Sequence, residues 1–382
     1  MNIKQFILKT HLTLGLISGI IVFIVAVTGA LYAFKSEIES FTQGFKNVEA
    51  QPGKEFISPS EAKKIAASVF PEKEIHGIVY GERNRALEVV FFESEPLFYR
   101  SVFINPYSGE IIKIKNHRRD FFNIVLSGHF NLWLPFKIGM PIISSAILIF
   151  VVMLITGLVL WWPGKKSKYK QGFFIRKNAQ GKYKLIDLHS VFGFYSNLVL
   201  LVLALTGLVW GFQWFSKGVY TITGGTKELA FKYPNSDSTL VNTLSYTDAS
   251  VDKLWNRVKK EYPEGAEIEV HFPHEDNHEA LLIHINTDNK TFWKTDYRYF
   301  DKYSLEELSV DNIWGRFENT NKGADKLRRM NYDIHIGSIL GLPGKIIVFL
   351  ASLVAASLPY TGFLMWRNKR NEKKEFLKKM EI

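Results

Sequence analysis

The chain has 382 residues and no cysteine, with 47% hydrophobic, 14% aromatic and 22% charged residues and a formal charge of +11. Without thiolates there is no iron–sulfur cluster, no CxxCH haem attachment, no thiolate zinc site and no disulfide, so any metal or cofactor must rest on His, Met, carboxylate or Tyr. The mixture suits a membrane protein with polar extramembrane parts, and the clustering of the positive charge beside apolar runs argues against a nucleic-acid partner.

The first apolar run, near 12–34, follows Lys4 and Lys9. At about 23 residues it is longer than a signal-peptide core and meets no clear cleavage motif, so residues 1–34 read as a retained first span. Residues 35–116 read as a small α+β domain. An amphipathic helix at 59–70 leads to strands at 87–92 and 98–104, then the turn Asn105-Pro106-Tyr107-Ser108-Gly109 and Glu110-Ile111-Ile112. Residues 117–162 carry a helical stretch with His129, then Leu134-Pro135, then the second span. His129 to Trp162 is too long for one straight helix across a bilayer at ~1.5 Å per residue, and the prolines mark junctions.

Residues 163–188 form a basic loop, with Lys165, Lys166, Lys168, Lys170, Arg176, Lys177, Lys182 and Lys184 against one acid, Asp187. The third span covers 189–213. Residues 214–325 loosely repeat the outer order, with a helix near 247–261 and strands at 267–272, 280–286 and 291–300. Residues 326–366 hold His335, the break Leu342-Pro343-Gly344 and the fourth span, and 367–382 is a second basic segment. By the positive-inside rule both basic segments and the N-terminus are cytoplasmic, and the two long connections face outward. Part of the net charge attracts anionic lipid.

The chain contains one stretch twice. His11 to Gly29 recurs as His189 to Gly207 at a constant offset of 178, matching Gly15 with Gly193, Ser18 with Ser196, and Thr28-Gly29 with Thr206-Gly207. A histidine at the mouth of a span is costly unless it has a partner. By topology His11 and His189 share the cytoplasmic side with Thr156-Gly157 and Thr361-Gly362. His129 and His335 share the outer side with Thr28-Gly29 and Thr206-Gly207. Two imidazoles per leaflet, with Gly29, Gly157, Gly207 and Gly362 permitting close backbone approach, make the arrangement expected of two bis-histidine haems stacked in a four-helix bundle. A lone histidine at a helix end is more often an interfacial hydrogen-bonding residue, and Thr-Gly near a span end is commonly small-residue packing. The pairing by depth and by repeat is what favours the metal-centre reading.

Arg118, Arg119, Arg328 and Arg329 are candidates to pair with haem propionates, or else solvated charges. His117 is a spare candidate ligand. The stretch HFPHEDNH, with His271, His274 and His278 and with His284 beyond it, is either a polar hairpin loop or a metal or substrate-iron site; its spacing fits no defined zinc pattern.

At these residues the sequence resembles the PepSY-associated transmembrane proteins. Ser60-Glu61-Ala62 opening a helix and Val102 to Ile112 (VFINPYSGEII) resemble the PepSY helix, strand and turn, with Asn105 for the usual Asp and Ser108 for the usual Thr. Thr156-Gly157 before Trp161-Trp162, and Thr361-Gly362 before Trp366, resemble the family's span endings, and the histidines match its recurrent positions. The resemblance covers nearly the whole chain. It implies a bundle of four transmembrane helices, built by internal duplication, with two small α+β PepSY-like extracytoplasmic domains in a bacterial inner membrane. Iron-linked members are reductases holding two haems that release iron from ferric siderophores in the periplasm. Carried over, this implies two b-type haems on His11, His189, His129 and His335. The expected activity is outward electron transfer that reduces a ferric siderophore-type chelate, fed by quinol or a separate reductase, because a cytoplasmic loop of 163–188 is too short for a flavin domain. Other readings of the same resemblance are a haem-free anchored PepSY binding or regulatory protein, and an accessory subunit of iron uptake.

Overall fold

The computed structural model describes residues 2–162, 172–240, 246–272, 278–288, 290–320 and 323–380. In chain order the helices and strands are α1 (Ile3–Ala33), α2 (Lys35–Thr42), α3 (Pro59–Ala67), β1 (Gly77–Tyr80), β2 (Leu87–Ser94), β3 (Leu97–Ile104) and β4 (Ile111–Asn116). Then come α4 (Phe121–Asn131), α5 (Phe136–Trp161), α6 (Gly181–Gly211), α7 (Gln213–Ile222) and α8 (Asp248–Lys259). The chain continues with β5 (Glu267–His271), β6 (Leu281–Asn286), β7 (Asp296–Phe300), β8 (Glu307–Leu308), α9 (Gly323–Ile336) and α10 (Gly341–Met380). They divide into a helical unit, Met1–Lys35, Ile124–Ser216 and Ile334–Ile382, and a sheet unit, Ser36–Asn123 and Lys217–Asp333.

In the helical unit α1, α5, α6 and α10 are each long and apolar enough to cross a bilayer. Every helix packs on two neighbours, in the cyclic order α1, α5, α6, α10. The shared interior is made of small and medium side chains, among them Val22, Ala26, Leu154, Leu200, Ala204 and Ala355. Without a hydrophobic drive between helices in lipid, close packing of such residues is what holds a bundle. Buried hydroxyls are satisfied locally: Ser18, Ser144 and Ser196 each donate to the carbonyl four residues earlier.

The α4–α5 and α9–α10 junctions are sharp turns that need glycine. Between α4 and α5, Leu132 and Trp133 take positive φ angles of 55° and 58°, and a Cβ on Gly139 would run into the Asn131 carbonyl. Between α9 and α10, Gly337 sits at φ +81°, and Gly337 and Gly344 approach backbone to backbone. The expected breaks near Pro135 and Pro343 therefore fall where the sequence put them. Helix runs further than expected at the two basic segments. α6 begins eight residues ahead of His189, and α10 carries its helix through the basic segment to Met380. The Lys, Glu, Arg and Leu of that last stretch are good helix formers and need no break. Lys165, Lys166, Lys168 and Lys170 lie outside the described residues.

The sheet unit differs from the expectation of two separate small domains. Its eight strands form one sheet in the order β4-β3-β2-β1-β5-β6-β7-β8, antiparallel throughout. Each connection supplies a covering helix, α3 or α8, and a four-strand meander, and the meanders join edge to edge where Ile78 faces Val270 and Tyr80 faces Ile268. Pairing β1 with β5 removes two strand edges that separate domains would have left open. The helices α3 and α8 cover the joint core of Ile78, Val89, Val251, Leu254, Val270 and Ile283. Asp252 on α8 ties them together by accepting from the Ser60 amide at 2.9 Å and from its hydroxyl at 2.5 Å.

Candidate functional site

The histidines of the helical unit are placed by the ends of α1, α4, α6 and α9. His11 meets His189 with ring centroids 6.5 Å apart and planes at 87°. His129 meets His335 with centroids 6.1 Å apart and planes at 62°. No other described histidine shares these clusters.

Each of the four rings is held by a helix of its own hairpin. His11 Nδ1 lies 2.9 Å from Thr156 Oγ1, His189 Nδ1 2.8 Å from Thr361 Oγ1, and His335 Nδ1 2.8 Å from Thr206 Oγ1. The Thr hydroxyl has one proton, and each of these donates to the carbonyl four residues earlier, Val152, Ser357 and Val202 respectively. The hydroxyl oxygen can then only accept, so the proton between the residues sits on Nδ1. His129 reaches the same state by another route. Its Nδ1 donates to the Val25 carbonyl at 2.9 Å, with Thr28 Oγ1 further off at 3.3 Å. All four imidazoles are thus fixed as the Nδ1–H tautomer with a lone pair on Nε2. None of these Nε2 atoms has a hydrogen-bond partner among the described residues. Fixing one ring nitrogen by hydrogen bond so that the other can ligate is the usual second-shell device of metal-bound histidine.

The glycine after each threonine gives the ring its seat. A Cβ on Gly29 would lie 3.0 Å from His129 Cε1, on Gly157 3.3 Å from His11 Cε1, on Gly207 3.4 Å from His335 Cε1, and on Gly362 3.5 Å from His189 Cε1. Two cavities meet at His11 and His189. One of about 230 Å³ is lined by all four spans, including Val22, Phe150, Met153, Asn197 and Leu358. The other, about 830 Å³, is walled by α1 and α10, including Gly15, Gly19, Phe23 and Phe363. That volume is of the size that takes a cofactor. Gly15 and Gly19 line it and also let Met153 and Pro359 close on α1.

Other sequence candidates go elsewhere. Arg329 is buried in the sheet unit, where it donates to the carbonyls of Thr295 and Gly315 and lies over Tyr297 and Phe317. Both terminal nitrogens are engaged and Nε is buried without a partner among the described residues, so the guanidinium is held inside the sheet unit and not presented to a propionate. Arg328 rests over Trp314 with Nε unpartnered. Arg118 and Arg119 are exposed. His117 belongs to the sheet unit, stacked on Tyr99 at 4.2 Å with Nε2 2.7 Å from Ser101 Oγ and 3.6 Å from Glu88. In the other histidine stretch, His271 joins Glu269 and His284, while His278 is exposed and His274 lies outside the described residues. Burial alone would raise the Glu269 carboxyl, but hydrogen bonds from His271 and His284 hold it far below the usual carboxylate range.

Sequence reasoning missed two residues. Trp210 packs edge-on against His335 at 5.2 Å, and Asn197, which donates to the Leu154 carbonyl, lines the smaller cavity. An aromatic near a span end reads as lipid belt, so Trp210 carried no separate signal. A polar amide inside a span was the sign available for Asn197.

Four apolar helices enclosing paired, tautomer-fixed imidazoles define a multi-pass membrane protein with candidate metal-ligating positions between its spans. Across residues 8–369 the chain matches the family described as PepSY-associated TM region, and it belongs to that family. No curated protein matches it closely enough to count as a relative.

Proposed function

We propose that the protein is a dihaem membrane reductase that passes single electrons outward to a ferric siderophore-type chelate. The observation that carries this reading is the set of four Nδ1–H imidazoles meeting in twos. Two imidazoles sharing an axial metal at roughly 2 Å per bond have ring centroids about 6.3 Å apart, against 6.5 and 6.1 Å here. With no cysteine in the chain, a haem would be b-type, ligated by His11 with His189 and by His129 with His335. Haem bound there supplies a one-electron carrier near each face.

The chain's own residues do the rest. Thr156, Thr361, Thr206 and Val25 orient the rings, the four glycines let them sit against the neighbouring helix, and the apolar bundle excludes water. The histidine levels at the two ends of α1 are roughly 27 Å apart at about 1.5 Å per residue, so the pairs serve opposite leaflets. Reduction takes one electron per iron: Fe(III) in the chelate becomes Fe(II), which hard oxygen donors hold more weakly, and the chelator is released unchanged. No acid–base group is required. Quinol or a separate reductase supplies the electron.

The same reading sets the protein in a bacterial inner membrane with both termini cytoplasmic, supported by Arg176, Lys177, Lys182, Lys184, Arg367, Lys369 and Arg370 flanking the spans. It takes the two hairpins as an internal duplication and the two meanders of the sheet unit as PepSY-like, extracytoplasmic halves. Purified protein should be red, with a low-spin b-type spectrum and two haems per chain, and ferric chelate should reoxidise the dithionite-reduced form. His11→Ala or His189→Ala should remove half the absorbance, and His129→Ala or His335→Ala the other half. A colourless preparation from haem-replete cells would instead favour an anchored binding protein.

A further inference from the structure

We propose a second metal site, in the sheet unit, in which Glu269, His271 and His284 bind one divalent first-row transition ion and leave a coordination position open. The three side chains come from adjacent strands. In β5, Glu269 and His271 lie two apart and so share the sheet face opposite the core residues Ile268 and Val270. In β6, His284 stands directly across from Glu269. His271 Nε2 is 3.3 Å from His284 Nδ1 and 3.2 Å from Glu269 Oε1, and His284 Nδ1 is 3.5 Å from Glu269 Oε2.

Those separations are what decide the reading. Ligand atoms at about 2.0–2.2 Å from a tetrahedral ion stand about 3.3–3.5 Å from one another. Three donors at that spacing occupy three corners and leave the fourth for water or a ligand. Two imidazoles and a carboxylate suit Zn(II), Fe(II), Co(II) or Ni(II), and not Mg(II) or Ca(II), which prefer oxygen.

The opposing account is a purely structural hydrogen-bonded triad, with the carboxylate bridging two imidazoles. It crowds the inner nitrogens: if His271 Nε2 and His284 Nδ1 both donate to Glu269, two N–H groups face each other at 3.3 Å, whereas a metal ion takes both as lone pairs. The outer nitrogens, His271 Nδ1 and His284 Nε2, are buried with no hydrogen-bond partner among the described residues and are the same in either account. Gly77 on β1, directly across from His271, makes the room: a Cβ there would stand 3.5 Å from both Glu269 Oε1 and His271 Nδ1. His76, next to it, packs edge-on against His271 at 5.0 Å. Two paired strands thus present the donors on a rigid sheet, not on a loop.

The test uses tag-free, haem-replete full-length protein stripped with a chelator and titrated with Zn(II) by calorimetry, and with Co(II) by visible spectroscopy. One tight ion per chain is expected, with Co(II) giving the intense bands of a tetrahedral ion. Glu269→Gln, His271→Ala and His284→Ala should each weaken Zn(II) binding by more than about 100-fold, beyond what loss of a second-shell partner causes. His278→Ala and the double variant His11→Ala/His189→Ala should keep it, which separates this site from the imidazoles of the helical unit. Should a ligand variant fold poorly, Glu269→Gln retains the shape, and thermal melting gives an independent readout. Zn(II) should raise the wild-type Tm by mass action and leave that variant unmoved. Equal Zn(II) affinity in wild type and in the three ligand variants, or the same Tm rise in Glu269→Gln, overturns the proposal.

Discussion

The four glycines beneath the imidazoles give a graded experiment. Replacing each by Ala adds one Cβ at a known distance from a ring: 3.0 Å at Gly29, 3.3 Å at Gly157, 3.4 Å at Gly207 and 3.5 Å at Gly362. Carbon atoms are comfortable at about 3.5–4.0 Å. Gly362→Ala therefore makes an ordinary contact, whereas Gly29→Ala must push His129 by roughly half an ångström, about the tolerance of a preorganised site. The ring has little freedom to yield, because its Nδ1 is held to Val25 at 2.9 Å. Overpacking of this kind costs about 1–3 kcal/mol, or roughly 5- to 150-fold in affinity at about 1.4 kcal/mol per decade. The gain in helix propensity from Gly to Ala is common to all four and cancels in the comparison. Haem per chain after gel filtration, with the split of the reduced spectrum between the two centres, reads the result. Gly29→Ala should lose the His129–His335 centre selectively, Gly157→Ala and Gly207→Ala should fall between, and Gly362→Ala should resemble wild type. Equal losses at all four, or greatest loss at Gly362, would refute the claim that these glycines are seats for imidazole.

The threonines should rank differently. Thr156→Val, Thr206→Val and Thr361→Val each delete the hydroxyl acceptor of a ring Nδ1–H, leaving the carbonyls of Met153, Leu203 and Leu358 as second partners, and should weaken haem retention by about 1 kcal/mol, while Thr28→Val should do least because the Val25 carbonyl holds His129 at 2.9 Å; retention measured by haem transfer to apomyoglobin checks the order. In the sheet unit, burial alone would raise the Glu307 carboxyl, but hydrogen bonds from Arg316 and Arg298 (the latter at 3.1 and 2.6 Å) outweigh it and hold the group at about 2. A carboxyl depressed from an ordinary value near 4.3 adds stability above that pH and loses it as pH falls toward 2, so wild type should lose up to about 3 kcal/mol across that window. Glu307→Gln should flatten that part of the curve in thermal melts from pH 6 to 2.5, and an unchanged slope would refute the pairing.

Much of the helical unit was legible because lipid imposes length and apolarity, and because a repeat at one offset marks equivalent positions. The histidine pairs followed from topology alone: spans one and three enter from one side, so His11 and His189 had to share a level. What the threonine does was not legible. Thr-Gly reads as small-residue packing, and only the third dimension shows the hydroxyl spending its proton on its own helix and accepting from a ring on the next. In the sheet unit the helices α3 and α8 and six strands overlap their expected places, with β7 starting five residues later than expected, but α2, β1 and β8 were missed. A four-residue strand that opens with Gly77 has too little periodicity to register. That omission hid the larger feature, since β1 is the strand that pairs with β5. Joining of two meanders by backbone hydrogen bonds across some 190 residues leaves no side-chain pattern to read. Arg329 was misjudged for a related reason: a charge in a polar segment reads as exposed until its carbonyl partners are seen.

The way the rings are held has a consequence for assembly. His11 leans on α5 and His129 on α1, so the first hairpin fixes both of its imidazoles by itself. His189 leans on α10 and His335 on α6, so the second does the same. Yet each pair takes one ring from each hairpin. No ring depends on the opposite hairpin for its tautomer or its seat, and the hairpins meet through small side chains such as Ala26, Ala204 and Ala355 together with the paired imidazole rings. A ligand bridging the rings would therefore act as a clamp between two preformed halves. The contacts that orient each histidine are contained in its own hairpin, which is what a hairpin copied whole would require.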